Sequence, residues 1–419
     1  MKFYCLGGFR EVGRNAILLE TSKENVLLDY GIKVETNELP LSINKKIDAL
    51  ILCHPHLDHC GAIPTLYKKK LYKFPLYSTA ASLDQSHLLW KDSMKVAKLK
   101  GKKQVFNDSD IQRTKQNENR ITFGQRFEIG NLNIEVHFAG HVPGSFMPVI
   151  EYKDKRILYT SDFNTLDTRL LKGANIKEFK DIDILITEST YADREHPKRE
   201  EVEKEFIKSV EETIENGGVA LIPVFAVGRA AEIMLVLNSS NPDYPIYLDG
   251  MAREATEIAL RYPELLKDPE ALRNAMDKII PLYTDDERKE AIKSPCAIIT
   301  TGGCLEGGPI IFYLSQLHDI ENSSLLFTGY QIPNTAGRKV LETGRFITNE
   351  LNFKIKMKIK SFDFSAHIGR TQLLNFIKTL NPEKVICMHG DNCEKFANEI
   401  SETFGVYAEA PENGDVIKI

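Results

Sequence analysis

The chain has 419 residues, 42% of them apolar and 27% charged, which is too long for one ordinary core and fits a globular protein of two domains rather than a disordered or membrane-embedded one. A formal net charge of −5 excludes a protein that grips nucleic acid over a uniformly basic surface, so any polyanion must be met by local patches. Seven scattered cysteines without a C-x-x-C pair, an N-terminus without the apolar stretch of a signal peptide, and no run as long as a membrane span point to free thiols in a cytoplasmic chain that does not enter a membrane.

Taken in chain order, short apolar runs that read as buried strands stop at residues able to bind metal or move a proton. Residues 25–28 lead into Asp29 and 48–53 into His54. In His54-Pro55-His56-Leu57-Asp58-His59, Pro55 keeps the segment extended, so His54 and His56 lie on one side and can share a metal. The chain then turns toward a helix, where Asp58 and His59 can face a second metal; a set of imidazoles and carboxylates suits zinc. Residues 134–138 precede His141, 156–159 lead to Asp162, and 183–186 lead to Glu188.

Beyond Glu188 the pattern changes. Residues 194–216 are highly charged with Val202, Phe206, Val210 and Ile214 at helical spacing, closed by Gly217-Gly218, and a new domain is expected from about residue 191 to 351. Within it, strands over 219–222 and 297–299 are each followed by a glycine-bearing turn and a helical pattern, the signature of a parallel α/β unit. Gly228-Arg229 opens one such helix, and Gly337-Arg338-Lys339 is a further basic segment; both are candidate phosphate contacts, although a plain strand-to-helix turn or a solvated basic turn would look the same. Residues 353–360 alternate lysines with apolar residues, which favours an edge strand over a phosphate-tracking stripe, and 98–103 reads as a solvated loop. Ser365-Ala366-His367 precedes a helical pattern ended by Asn381-Pro382, and 384–387 lead to His389. Residues 352–419 thus return to the first domain, which spans 1–190 in its first part. His54, His56, His59, His141, His367 and His389 are six of the ten histidines and lie in or beside these strand ends.

His54-x-His56-x-Asp58-His59 resembles the metallo-β-lactamase superfamily. Several further motifs make nearly the whole chain similar to its β-CASP nucleases, with archaeal relatives of the endonuclease subunit of the cleavage and polyadenylation specificity factor the nearest likeness. These motifs are Gly7-Gly8-Phe9-Arg10-Glu11-Val12-Gly13-Arg14-Asn15, Glu188-Ser189-Thr190-Tyr191, Pro223-Val224-Phe225-Ala226-Val227-Gly228-Arg229, Gly329-Tyr330-Gln331, Gly337-Arg338-Lys339, Ser365-Ala366-His367 and Met388-His389-Gly390. The resemblance implies an α/β fold: an αββα metallo-β-lactamase sandwich with an inserted α/β β-CASP domain and a cleft between the two. It also implies two zinc ions. His54, His56 and His141 would hold one, Asp58, His59 and His389 the other, with Asp162 bridging. The residues expected to serve catalysis are His367, Glu188, Asp58 and Asp29, with Asp29 behind the metal ligands and Glu188 and His367 off the metals. Arg229, Arg338, Lys339 and Ser365 become candidate contacts to substrate phosphate. A histidine at 389, where the DNA-processing branch typically has an aliphatic residue, resembles the RNA branch.

Two zincs roughly 3.5–4 Å apart would activate a water and hold the scissile phosphate. His367, oriented by Glu188, would protonate the departing oxygen. The family supplies the product polarity, a 5′-phosphate and a 3′-hydroxyl, and leaves endonucleolytic and 5′→3′ exonucleolytic action both open. RNA is the expected partner, and other RNA-processing subunits or a second copy of the chain are compatible with the resemblance. The family's C-terminal appendages and the N-terminal RNA-binding extension of some archaeal members have no counterpart in these residues, and 300–308 matches its glycine-rich stretch only loosely. Two rivals share the metal constellation: a small-molecule hydrolase of thioesters or lactones, against which the inserted domain counts, and a non-catalytic subunit, against which the intact ligand set counts.

Overall fold

Runs rich in valine, isoleucine and leucine form strands because their side chains pack on both faces of a pleated layer. The computed structural model describes residues 1–419 apart from 69–72, 100, 102 and 349; Lys100 and Lys102 of the expected loop therefore lie outside the described residues. The chain divides into two compact units, the first comprising 1–167, 172–195 and 366–419, the second 168–171 and 196–365.

The first unit carries two seven-stranded sheets. One runs in the order Val416–Lys418, Lys2–Gly7, Ala16–Glu20, Asn25–Leu28, Ala49–Ile51, Leu76–Thr79, Glu118–Ile121, and the other in the order Tyr407–Glu409, Lys384–Met388, Ile184–Glu188, Lys155–Tyr159, Phe146–Tyr152, Leu132–Phe138, Arg126–Ile129. Their inner faces meet through residues such as Ile17, Leu19, Val26, Ile134, Val136, Ile157, Ile184 and Ile386. The outer face of the first sheet is covered by Tyr67 and by the helix Ala80–Leu99 through Leu83 and Trp90, and that of the second by the helices Arg370–Leu380 and Cys393–Phe404. Helix, sheet, sheet, helix is the expected sandwich. All six strands read as ending near metal ligands are strands here. All seven cysteines are buried and free, and among the described residues no helix is long and apolar enough to cross a membrane.

The second unit is built on a six-stranded sheet in the order Ile280–Leu282, Ile246–Asp249, Cys296–Thr301, Val219–Val224, Ser324–Phe327, Lys358–Ser361, with every neighbouring pair parallel. Its connections run through helices, including Arg199–Glu215 and Arg229–Asn238, as parallel strands require. The second compact unit runs on to Ser365, so 352–365 pack with it rather than with the first unit. The reason is a change of partner within 352–361. Asn352–Lys354 pairs antiparallel with Arg345–Ile347, the Ile355 and Lys356 amides donate to Gly344 and His318, and Lys358–Ser361 then joins the large sheet beside Ser324–Phe327. One amphipathic strand is therefore two short ones, and the second is the edge of the sheet, as the lysine alternation suggested. Ile355 and Met357 are buried while Lys354, Lys356 and Lys358 are exposed.

Candidate metal centre

Parallel and mixed sheets present side chains from several strands at the strands' carboxyl ends, and the first unit gathers its polar residues there. Asp29 follows Asn25–Leu28, His54 lies just past Ala49–Ile51, Asp162 beyond Lys155–Tyr159, Glu188 ends Ile184–Glu188, and His389 follows Lys384–Met388. Pro55 leaves 52–56 extended, and the short helix Leu57–Cys60 starts only afterwards, carrying Asp58 and His59. The local reading of the histidine motif therefore holds at both ends.

Ligand atoms of His54, His56, His141 and Asp162 lie within 4.8 Å of one another, as do those of Asp58, His59, Asp162 and His389. Asp162 is common to both sets: its Oδ2 is 3.3 Å from His54 Nε2 and 3.7 Å from His141 Nε2, and its Oδ1 is 3.4 Å from His59 Nε2 and 3.5 Å from His389 Nε2. Asp58 Oδ2 lies 3.8 Å from His59 Nε2 and 3.6 Å from His389 Nε2. A third group joins Asp162 to Glu188 and His367. The seven residues expected on metal are thus brought together, and Glu188 and His367 stand beside them.

The donor set fits cations on its own chemistry. His56 Nδ1 and His141 Nε2 approach to 3.1 Å. Burial and His54 push the His56 imidazole down to about 3, and burial and His367 hold His141 well below the usual histidine value. Two uncharged rings pointing nitrogens at each other suit a shared positive partner. Burial likewise keeps His54 low, and the buried His54 Nε2 and Asp162 Oδ1 have no hydrogen-bond partner, which is costly unless something else satisfies them. His59 behaves in the opposite way: burial opposes its charge, but the carboxylates of Asp162, Asp29 and Asp58 outweigh it and raise the imidazole. Against the same burial, His59 and His389 hold Asp162 well below the ordinary carboxylate range.

Behind the ligands, Asp29 is fully buried and accepts from His59 Nδ1 at 2.7 Å, the Cys53 amide at 2.8 Å, Tyr159 Oη at 2.9 Å and Ser161 Oγ at 3.1 Å. This places the proton of His59 on Nδ1 and leaves Nε2 free for a metal. His141 Nδ1 is likewise set by the Ala366 carbonyl at 3.0 Å. Glu188 accepts from the Phe163 amide at 2.9 Å through Oε1 and meets His367 Nδ1 at 2.8 Å through Oε2, so His367 presents Nε2 outward. Burial works against its charge, but Glu188 and Asp162 lift His367 to about 9.

Sequence reading missed Asn15, Ser161 and Tyr159. Asn15 Nδ2 lies 2.9 Å from both His59 Nε2 and His389 Nδ1, and Ser161 Oγ touches His54 Nδ1 as well as Asp29. The signal for Asn15 was its place at the end of the Gly7–Asn15 motif. Gly8 has φ +81°, a Cβ there would stand 2.2 Å from Asn15 Oδ1, and its carbonyl accepts from the His389 amide at 2.6 Å. The motif therefore packs bare backbone against the site. The four candidate phosphate contacts lie in the second unit. Arg229 begins a helix capped by Gly228, Arg338 Nε donates to Glu342 at 2.6 Å, Lys339 is exposed, and the Ser365 amide donates to Asp363 at 3.0 Å.

Comparison with known proteins adds the family context. Residues 17–190 match a metallo-beta-lactamase superfamily domain, 230–340 a Beta-Casp domain, and 352–411 a Zn-dependent metallo-hydrolase RNA specificity domain. The chain is 37% identical to a probable RNase MJ4 of Methanocaldococcus jannaschii over all of both chains. It is 36% identical to RNase aCSPSF2 of Saccharolobus solfataricus over 99% of this chain and 84% of that one. It is 35% identical to transcription termination factor FttA of Pyrococcus horikoshii over 99% of this chain and 70% of that one. A crystal structure of a protein of unknown function from Enterococcus faecalis superposes with a TM-score of 0.62 at 14% identity over 99% of each chain, a likeness of fold alone.

Proposed function

We propose, from a chain that belongs to the β-CASP family of metallo-β-lactamase-type ribonucleases, that its substrate is hydrolysed at two zinc ions, one held by His54, His56 and His141, the other by Asp58, His59 and His389, with Asp162 shared. The enzyme class is a metal-dependent hydrolase of RNA phosphodiester bonds. The observation that carries the two-metal reading is the double ligand set meeting on one carboxylate. Zinc is favoured by a set dominated by imidazole, with carboxylates and no thiolate. When bound, such ions activate water and neutralise charge developing on a phosphate.

The chain's own residues do the rest. Asp29 and the Ala366 carbonyl orient His59 and His141, so each ring offers Nε2. His367, with Nδ1 on Glu188, holds a proton on Nε2 and gives it to the departing 3′ oxygen, which leaves a 3′-hydroxyl upstream and a 5′-phosphate downstream. Glu188 keeps the imidazolium oriented and stabilised, the part a buried carboxylate plays beside a general-acid histidine. Arg229, Arg338, Lys339 and Ser365 are proposed to meet substrate phosphates, which a chain of net charge −5 must do locally. Cytoplasmic residence, and association with other RNA-processing subunits or a second copy, belong to the same proposal.

The test is RNA labelled at either end, offered to zinc-loaded protein beside a thioester. The expected result is cleavage of RNA with 5′-phosphate on the downstream fragment and about two zincs per chain by elemental analysis. Fragments ending in 3′-phosphate, or turnover of the thioester alone, would overturn the assignment.

A further inference from the structure

In the second unit, the neighbouring parallel strands Val219–Val224 and Ser324–Phe327 run out at the same edge into Phe225 and Tyr330. Both aromatic side chains are exposed, Phe225 by 38% and Tyr330 by 37%. A single exposed apolar residue needs no explanation, but these two stand at the carboxyl ends of adjacent strands of a parallel sheet, where such sheets place ligands.

The surroundings of Phe225 are unusual in being bare. A Cβ at Gly303 would come within 3.2 Å of the Phe225 amide nitrogen and 3.3 Å of ring carbons Cδ1 and Cε1, and one at Gly329 within 3.2 Å of Cε2. Glycine backbone therefore flanks both edges of the ring, and a Cβ at either position would crowd it. The cradle is tied together: the buried Gln331 donates through Nε2 to the carbonyls of Gly303 and Gly329, and Thr328 Oγ1 donates to the Pro223 carbonyl. Each loop also leads into a helix with a cation at its start, Arg229 in Arg229–Asn238 after Phe225, and Arg338 with the exposed Lys339 in Ala336–Thr343 after Tyr330.

We propose that Phe225 and Tyr330 form a stacking platform for unpaired bases of single-stranded RNA, a base-binding site distinct in chemistry from the phosphate contacts; this rests on the ribonuclease reading for the identity of the ligand. Every base offers a π-face, so exposed rings interleaved with basic residues bind single strands with little sequence preference. Gly303 and Gly329 leave the Phe225 ring uncrowded, and Gln331 fixes both glycines.

The experiment uses the full zinc-loaded chain and a fluorescent, nuclease-resistant phosphorothioate oligoribonucleotide, compared with an abasic strand of equal length and charge. Removing a stacked base costs about 5- to 150-fold in affinity, so Phe225→Ala and Tyr330→Ala should each weaken binding of the base-bearing strand within that range. Binding of the abasic strand should stay unchanged. Phe225→Trp supplies an independent readout, because the one native tryptophan, Trp90, is buried and donates to the Cys60 carbonyl. Emission from the new indole should be quenched by the base-bearing strand and not by the abasic one, with affinity restored to the parent level.

Equal affinity of the parent and both alanine variants for the base-bearing strand, or equal quenching by the two strands, would overturn the platform. So would alanine variants that keep RNA affinity but lose self-association, which would make this face a contact between copies of the chain. Failure of the ribonuclease reading would appear separately, as a parent protein that binds RNA yet leaves unmodified RNA uncut.

Discussion

Replacing Asp29 by asparagine keeps the size of the side chain and removes one charge and one acceptor. Its Oδ2 accepts from His59 Nδ1, Tyr159 and Ser161, and its Oδ1 from the Cys53 amide. In Asp29→Asn, an amide group placed on the Cys53 side sets two donors against each other at 2.8 Å. Placed on the other side, it faces His59 Nδ1 with a hydrogen and drives the ring to the tautomer that carries its proton on Nε2, the atom turned toward Asp162, Asp58 and His389. Neither choice satisfies all four partners. The expected costs are about 1–3 kcal/mol of stability for the buried mismatch and about 10- to 100-fold in affinity for one of two metals. Competition against a chromogenic chelator would resolve one weakened site beside one near the parent affinity. An Asp29→Asn protein that binds both metals at parent affinity would refute the role of Asp29 in orienting His59.

His367→Ala should lower the turnover of zinc-loaded protein by about 10²- to 10⁴-fold while metal content stays at the parent level; His59→Ala should shed one metal and regain part of its activity in excess zinc. If His367→Ala lost metal in the same way, His367 would be a ligand and not the proton donor. In metal-free protein the His367–Glu188 pair should make stability depend on pH in one direction. The histidine value rises from 6.5 to about 9 on folding, so the folded state holds the proton more tightly and the pair's contribution is full below about pH 6.5 and fades as pH rises through about 9. The melting temperature of the parent minus that of His367→Gln should therefore shrink between pH 6.5 and 9; a gap that widens would reverse the assignment. Alanine at Arg229, Arg338 and Lys339 together should weaken RNA binding and reduce the magnitude of its salt slope by up to about 3; an unchanged slope would remove these residues from the phosphate path.

How much of this was legible in the sequence depends on the distance over which each feature is decided. His54 to His59 is decided locally: Pro55 blocks helix, alternation puts His54 and His56 on one side, and the helix that follows turns Asp58 and His59 toward the other ligand set. Of the six strands, 134–138 shows as an alternation with Asn133, Glu135 and His137 on its second face, and the other five announced themselves as apolar runs because both of their faces are buried. The end of the inserted unit did not, since 352–361 alternates as one strand would, and only the positions of Arg345–Ile347 and Ser324–Phe327 divide it. Asn15 belongs to a motif whose residues carry no role of their own in the sequence, because its partners His59 and His389 lie 44 and 374 residues away. Phe225 and Tyr330 belong to motifs too, and nothing in the order of residues says that the loops carrying these two aromatics will leave neighbouring strands of one sheet.

The feature least visible in the sequence is the backbone that aims the ligands. Asp29, Ser161 and His389 all have φ between +47° and +54°, in the left-handed region that costs a non-glycine residue of order 1–3 kcal/mol. Each sits directly after, or one residue beyond, the end of a strand. Strand geometry would send successive side chains to alternate faces of the sheet; a left-handed residue breaks that alternation and redirects the chain at the sheet's edge. The conformation is held by bonds formed elsewhere: the Asp29 amide donates to Ile51, the His389 amide to Gly8, and Ser161 Oγ to Asp29. Local strain at three positions is thus offset by hydrogen bonds to residues in, or directly after, separate strands, which ties the geometry of the site to the pairing of the sheets. A glycine at any of the three would relieve the backbone while deleting the carboxylate, hydroxyl or imidazole that the turn exists to aim, so the strain persists at residues whose side chains the chemistry cannot give up.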